Sequence, residues 1–182
     1  MSGEVWTKES GKGLITIRAA LESDNAEIRG LYQYFNSLST ADRAMLNISP
    51  KYGFGSGTIV AEAGGHLVGF AKYWKDASKG EDFYHFYRAV VKPEFRREKI
   101  YFAFFLLRMK YSGGRRFEVT PSEDEAKAVR PAVEKIAEKL GLTLEITPMK
   151  ALIVHVSSNI NLQELENKID AFLNALGWIK HG

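Results

Sequence analysis

Cysteine is absent from this chain. Its absence excludes disulfides, thiolate metal sites and a cysteine nucleophile. Long apolar runs are missing as well. The longest, Ile100 to Leu107, has the length of a buried helix and falls well short of the roughly 20 residues of a membrane span. The N-terminal stretch MSGEVWTKESGKG is polar and has no signal-peptide core, so a cytoplasmic location with no membrane partner is expected. Histidine is scarce. His66 falls in a turn, His155 on a late strand and His181 in a mobile tail, none at ligand spacing, so no metal site is expected. Excess charge is small at net +3, too little to require nucleic acid. No repeat or low-complexity tract is visible.

What is present is 182 residues, 45% hydrophobic and 26% charged, enough for one domain with a sizeable core. The small net charge is unevenly distributed. Between Lys92 and Arg116 eight basic residues stand against Glu94 and Glu98, so this segment carries +6 and the remainder −3. Such a concentration suits either an anion site or a solvated helix face.

Hydrophobic periodicity orders the chain as β, α, α, β, β, β, α, β, α, β, β, α. LITIR (14–18) is the first strand. Ser23 or Asp24, with Glu27 three after Asp24 as in a capping box, opens a helix with Ile28, Leu31, Tyr32, Phe35 and Leu38 on one face, and a short helix follows from Ser39 or Thr40 to Met45. TIVAEAGGHLVGFAKYW (58–74) reads as a hairpin turning at Gly64-Gly65. FYHFYRAVV (83–91) is a strong strand. The helix after Arg96 is apolar nearly all round and belongs against a sheet. Ser122 and Glu125 form a capping box for the next helix, which Pro131 should kink or split and Gly141 should end. LTLEIT and ALIVHVSS are strands, and Asn161 opens a final amphipathic helix. Two strands joined through the buried helix should run parallel. The expected class is α/β, a central mixed sheet flanked by helices.

Three stretches carry a family resemblance. TIVAEAGGHLVGFAKY resembles the second and third strands of the GNAT superfamily of acetyl-CoA-dependent N-acetyltransferases. AVVKPEFRREKI (89–100) resembles its cofactor motif, a strand ending Val-x-Pro-x-x-Arg before a buried helix. AVEKIAEKLGLTLE (132–145) is similar to its closing helix. FNSLSTADRAML (35–46) is similar to the protein-lysine acetyltransferase branch. The resemblance implies a GNAT-like domain over residues 13–147, preceded by an extension (1–12) and followed by an added strand and helix packed on the same domain (148–182).

The resemblance also implies a pyrophosphate site. Helix N-terminal N–H groups and the positive end of the dipole hold the anion, and the family's Arg/Gln-x-x-Gly-x-Gly/Ala pattern keeps side chains out of its way. Carried over, the cofactor-binding residues are Ala89, Val90, Val91, Arg96, Arg97, Glu98, Lys99, Ile100 and Tyr101. Lys99 and Tyr101 occupy the two small positions, so the motif is degenerate. Acetyl transfer needs a base for the ammonium and an acid for the leaving thiolate. The family's acidic tyrosine position is Ala137. By period two, His85 and Tyr87 share a strand face with Ala89 and Val91, which makes them candidates, with Glu81 and Asp82 as carboxylate alternatives. Two readings stay open. One is an enzyme moving acetyl from acetyl-CoA to a primary amine, with a protein lysine or N-terminus favoured over a small amine. The other is a non-catalytic subunit or adaptor for a protein partner in a larger complex. Strand aromatics beside basic residues offer RNA as a third and lesser reading.

Overall fold

A computed structural model describes residues 3–35, 57–121 and 123–182. The short helix expected from Ser39 or Thr40, most of the stretch 35–46 and the Ser122 capping box lie outside the described residues. The strands are β1 (Val5–Ser10), β2 (Gly13–Ala19), β3 (Gly57–Ala63), β4 (His66–Lys75), β5 (Phe83–His85), β6 (Ala89–Val91), β7 (Arg116–Val119), β8 (Thr143–Ile146), β9 (Leu152–His155) and β10 (Ile179–His181). The helices are α1 (Asn25–Phe35), α2 (Ile100–Ser112), α3 (Glu123–Leu140) and α4 (Leu162–Ala175). One mixed sheet runs in the order β10-β1-β2-β3-β4-β5-β7-β9-β8, with β6 also on β4. The β5–β7 pair is parallel, as the crossover through α2 requires, and its neighbours are antiparallel.

Local chemistry accounts for most of these elements. Gly64 and Gly65 have φ of +60° and +80° and close the β3–β4 hairpin. α1 buries Ile28, Leu31 and Tyr32 on one sheet face, against Val60, Phe70 and Val90. α2 is buried from Ala103 to Met109 because it has the sheet on one side and α3 and α4 on the other. α3 ends at Gly141, where Gly141 N–H donates to Glu138 O (3.2 Å) and Leu142 N–H to Ala137 O (2.8 Å), a Schellman pair. α3 runs unbroken through Pro131, contrary to a split there. Pro131 and Lys127 are both exposed, so the carbonyl that loses its helical donor can reach water. Asn161 caps α4, its Oδ1 accepting from the N–H of Gln163 and Glu164.

Both chain ends differ from the sequence reading. The extension holds β1, and the tail expected to be mobile is β10, paired with β1 and tied by a 2.7 Å contact between Thr7 Oγ1 and His181 Nε2. Trp6 and Trp178 are fully buried beneath this added edge. Lys110 of α2 reaches it, its Nζ 3.1 Å from Glu4 and 2.6 Å from Asp170, while Lys180 binds the same two carboxylates.

FYHFYRAVV also departs from the expected continuous strand. Lys72 N–H faces two carbonyls, Tyr87 O at 3.2 Å and Arg88 O at 3.1 Å, so two residues oppose one. Arg88 has φ +36° at this bulge. The extra residue shifts the alternation beyond it. Tyr84 and Phe86 face α2, and so do Ala89 and Val91. His85 therefore points to the opposite face, and does not share one with Ala89 and Val91 as strict period two predicts.

Candidate active site

The bulge opens the sheet. β7 follows β5 as far as Phe86, whose N–H donates to Glu118 O at 2.8 Å. Beyond that point β6 stays on β4 while β7 stays on β9. A cavity of about 430 Å³ occupies the splay. Its lining includes Trp74, His85 and Glu118, which contact one another through His85, together with Tyr101, Arg108 and Glu125.

His85 is the centre of the first three. Its ring stacks on Trp74 with centroids 4.5 Å apart. Nε2 lies 2.8 Å from Asp76 Oδ2 and Nδ1 lies 3.1 Å from Glu118 Oε1. Both contacts are hydrogen bonds only when both ring nitrogens carry protons; a neutral ring keeps one and turns a lone pair toward a carboxylate. The cluster can therefore hold or pass a proton. Lys79 closes it by donating to Glu118 Oε2 at 3.2 Å. The Ser78 hydroxyl and then His85 hold the Asp76 carboxyl below its ordinary range.

Of the second three, Tyr101 and Arg108 are seven residues apart on α2, two turns along one face. Burial pushes the Tyr101 phenol up, opposed by the positive field of Arg108. Arg108 is 1% exposed, and burial pushes its guanidinium down to about 10. It donates from Nε to Phe104 O (3.2 Å) and from Nη1 to Lys72 O (3.1 Å), and lies 4.3 Å from the Phe86 ring centroid. Lys72 O sits at the bulge, where the regular ladder has been interrupted.

The loop from β6 to α2 is a 3-10 turn, Pro93–Glu98, followed by Lys99 at φ 65°, ψ 22°. That left-handed residue directly before the helix is where a glycine costs least, and lysine keeps the conformation despite its Cβ. Successive N–H groups in such a right-to-left-handed turn make a concave anion nest. The Lys99 side chain turns outward, with Nζ 5.9 Å from the Phe102 ring. Arg96 and Arg97 are exposed beside it, and Lys8 from β1 donates to Glu98 O at 3.0 Å. Val91 and Ile100 pack into the α2 core, and Val90 packs toward α1.

The sequence candidates thus separate. His85, Tyr87, Ala89 and Tyr101 meet at the cavity. Arg96, Arg97, Glu98 and Lys99 lie in the loop that leads into α2, outside the cavity lining. Glu81 is turned to solvent on Lys75 (2.7 Å), and Asp82 binds Arg116 (2.8 Å). Sequence reasoning missed Asp76, Glu118, Arg108 and Trp74. Arg108 had a signal, a lone charge within the apolar run FAFFLLRM; the others are assembled from separate strands. The basic segment is also less of a surface than its +6 suggests. Arg108 is buried, Lys110 and Arg116 are ion-paired, and Arg115 donates to Ser157 O and Ile160 O. Among the described residues no cluster could hold a metal ion, and no helix is long and apolar enough to cross a membrane.

No family model and no curated protein matches the chain. Solved structures do. Diaminobutyrate acetyltransferase of Paenibacillus lautus, in complex with diaminobutyric acid and coenzyme A, is 19% identical with a TM-score of 0.63, over 81% of this chain and 98% of that one. The spermidine/spermine N-acetyltransferase of Vibrio cholerae is 15% identical with a TM-score of 0.55, over 85% and 97%. The GNAT domain of PAT from S. lividans is 14% identical with a TM-score of 0.55, over 79% and 90%. With its mixed sheet, its helices on both faces and these matches, the chain has the GNAT acetyltransferase fold.

Proposed function

We propose that this protein is an N-acyltransferase that uses a CoA thioester and a primary amine. The observation that carries the reading is the splay cavity, lined by His85 and Glu118 of a His85–Glu118–Asp76 cluster and by Tyr101, two residues past the left-handed turn at Lys99. The residues fit a CoA thioester. Lys99 keeps the left-handed backbone of a glycine position, its Nζ lies 5.9 Å from the Phe102 ring, and the same loop carries Arg96 and Arg97 and accepts a hydrogen bond from Lys8 at Glu98 O. Bound there, the thioester would supply the activated acyl group.

The chain's own residues would do the rest. N–H groups at the start of α2 and the flanking arginines would hold the pyrophosphate. Trp74 and Phe86 would exclude water from the splay. An ammonium entering beside Trp74 would meet Glu118 and His85, and its proton would pass to Glu118 Oε1 or through His85 toward Asp76 Oδ2. Tyr87 and Tyr101, the phenols that line the cavity, would return a proton to the leaving sulfur. The likeness of residues 35–46 to the protein-lysine branch favours a protein amine as acceptor.

Calorimetric titration with acetyl-CoA tests the reading. Saturable binding that weakens in Arg96→Ala/Lys99→Ala is expected; no heat at millimolar ligand overturns it. Tyr101 lying in the cavity is the observation that favours the rival, a non-catalytic GNAT-fold adaptor for a protein partner. That rival predicts no acetyl-CoA binding and a stable complex with the partner.

A further inference from the structure

Arg108 does more than α2 packing requires. A buried cation ordinarily has a carboxylate beside it, because an uncompensated charge away from water is costly. Arg108 forms no ion pair with any described residue. Nε and one Nη1 hydrogen go to the carbonyls of Phe104 and Lys72, and Nη2 donates to no described residue. The side chain lines the cavity. Nη2 and the second Nη1 hydrogen are thus left without a described acceptor, on a buried side chain that borders the cavity.

The cavity's other charges are accounted for differently. Glu118 is engaged by His85 and Lys79, and Arg88 lies over the rings of Tyr32 and Tyr87. Glu125 lines the same cavity, has an interaction of its own, and acts electrostatically on Tyr101. Arg108 also stands nine residues beyond Lys99, about 13 Å along the helix at 1.5 Å per residue. An anion in the loop nest is therefore a different anion from one at Arg108.

We propose that Arg108 recognises a carboxylate carried by a ligand of this cavity, which makes it a specificity-determining residue. A carboxylate matches the guanidinium fork with two parallel hydrogen bonds, which a single ammonium donor cannot provide. The proposal rests on the acyltransferase reading for the ligand's identity. The carboxylate belongs either to the acyl group of the thioester or to the amine.

Two ligand pairs separate these sources by calorimetry on the wild-type chain: succinyl-CoA against acetyl-CoA, and lysine against cadaverine. The carboxylate-bearing member of one pair should bind roughly tenfold tighter or more, the scale of a charge-assisted hydrogen bond. That preference should vanish in Arg108→Met and weaken in Arg108→Lys, which keeps the charge but loses the fork. Equal affinities within both pairs, or a preference that survives in a folded Arg108→Met, would overturn the proposal while leaving thioester binding intact. If neither thioester binds, the acyltransferase reading falls. Free butyrate against butyramide on the wild-type chain then decides Arg108 alone: tighter butyrate supports the site, and equal or absent binding ends it. The same wild-type comparison serves if Arg108→Met does not fold.

Discussion

Arg108 and Lys110 stand two residues apart on one apolar helix, and their surroundings treat them in opposite ways. Two residues turn a helix by about 200°, so the two side chains leave on opposite sides. Lys110 reaches the added edge and finds Glu4 and Asp170. Arg108 reaches the splay and finds carbonyls, an aromatic face and a cavity. One cation is neutralised within the chain and acts as a staple. The other retains unmatched donor capacity at the site. A buried charge is thus informative about function only after its partners have been counted.

The largest effect should come from the cavity side. Glu118→Gln and His85→Ala are each expected to lower acyl transfer by roughly 10²- to 10⁴-fold, the usual worth of a positioned acid or base. Thiol release followed with a chromogenic reagent measures this. Lys110→Met should leave turnover at the wild-type rate. If turnover instead falls as far in Lys110→Met as in Glu118→Gln, the division of α2 into site and staple is wrong.

Stability should show the reverse ranking. Lys110→Met leaves Glu4 and Asp170 with Lys180 alone, and is expected to cost about 2 kcal/mol for a largely buried, multiply paired lysine. Glu118→Gln should cost less, since its partners Lys79 and His85 keep some access to water. Urea denaturation of the two variants compares them, and an equal or inverted order would remove the staple argument.

How much of this contrast was legible beforehand follows from where each contact lies along the chain. α2 and the Asn161 cap are local features, and FAFFLLRM already displays Arg108 as an odd charge. The parallel β5–β7 pairing followed from the crossover. The bulge at Tyr87–Arg88 was not legible, because FYHFYRAVV alternates well enough for an unbroken strand and the extra residue exists only relative to Lys72 on β4. His85 could be picked out, but its partners come from two other segments, Asp76 and Glu118, and no spacing links them. β1 and β10 escaped for a similar reason. Each is a short strand with mixed polarity, stabilised by pairing ends that are more than 170 residues apart.

Acid should expose the staple further. Burial alone would raise the Glu4 carboxyl, but hydrogen bonds from Lys180 and Lys110 outweigh it and hold the group below its ordinary range. A depressed carboxyl contributes stability that is present above its unfolded pKa and is lost as pH falls through the folded value. Stability should therefore decline below roughly pH 5, where unfolded glutamates begin to protonate. The decline should be shallower in Lys110→Met. Identical acid limbs in the two proteins would mean that Glu4 is not coupled to Lys110.

The smallest effect concerns the start of the same helix, where Lys99 holds φ 65°. A residue with a Cβ in this conformation is disfavoured by about 1 kcal/mol relative to glycine, whereas glycine gains freedom in the unfolded chain, which offsets part of the difference. Lys99→Gly should therefore stabilise the protein by a few tenths of a kcal/mol up to about 1. Its effect on acetyl-CoA binding is the more telling measurement. If the nest's backbone N–H groups do the holding, affinity should stay within a few-fold of wild type despite the lost positive charge. If the Lys99 ammonium has taken over from the missing glycine, affinity should fall about tenfold, the worth of one charge-assisted contact. The first outcome would make the loop, like Arg108, a place where local geometry is kept for a ligand. The second would make it a place where side-chain charge has replaced backbone geometry.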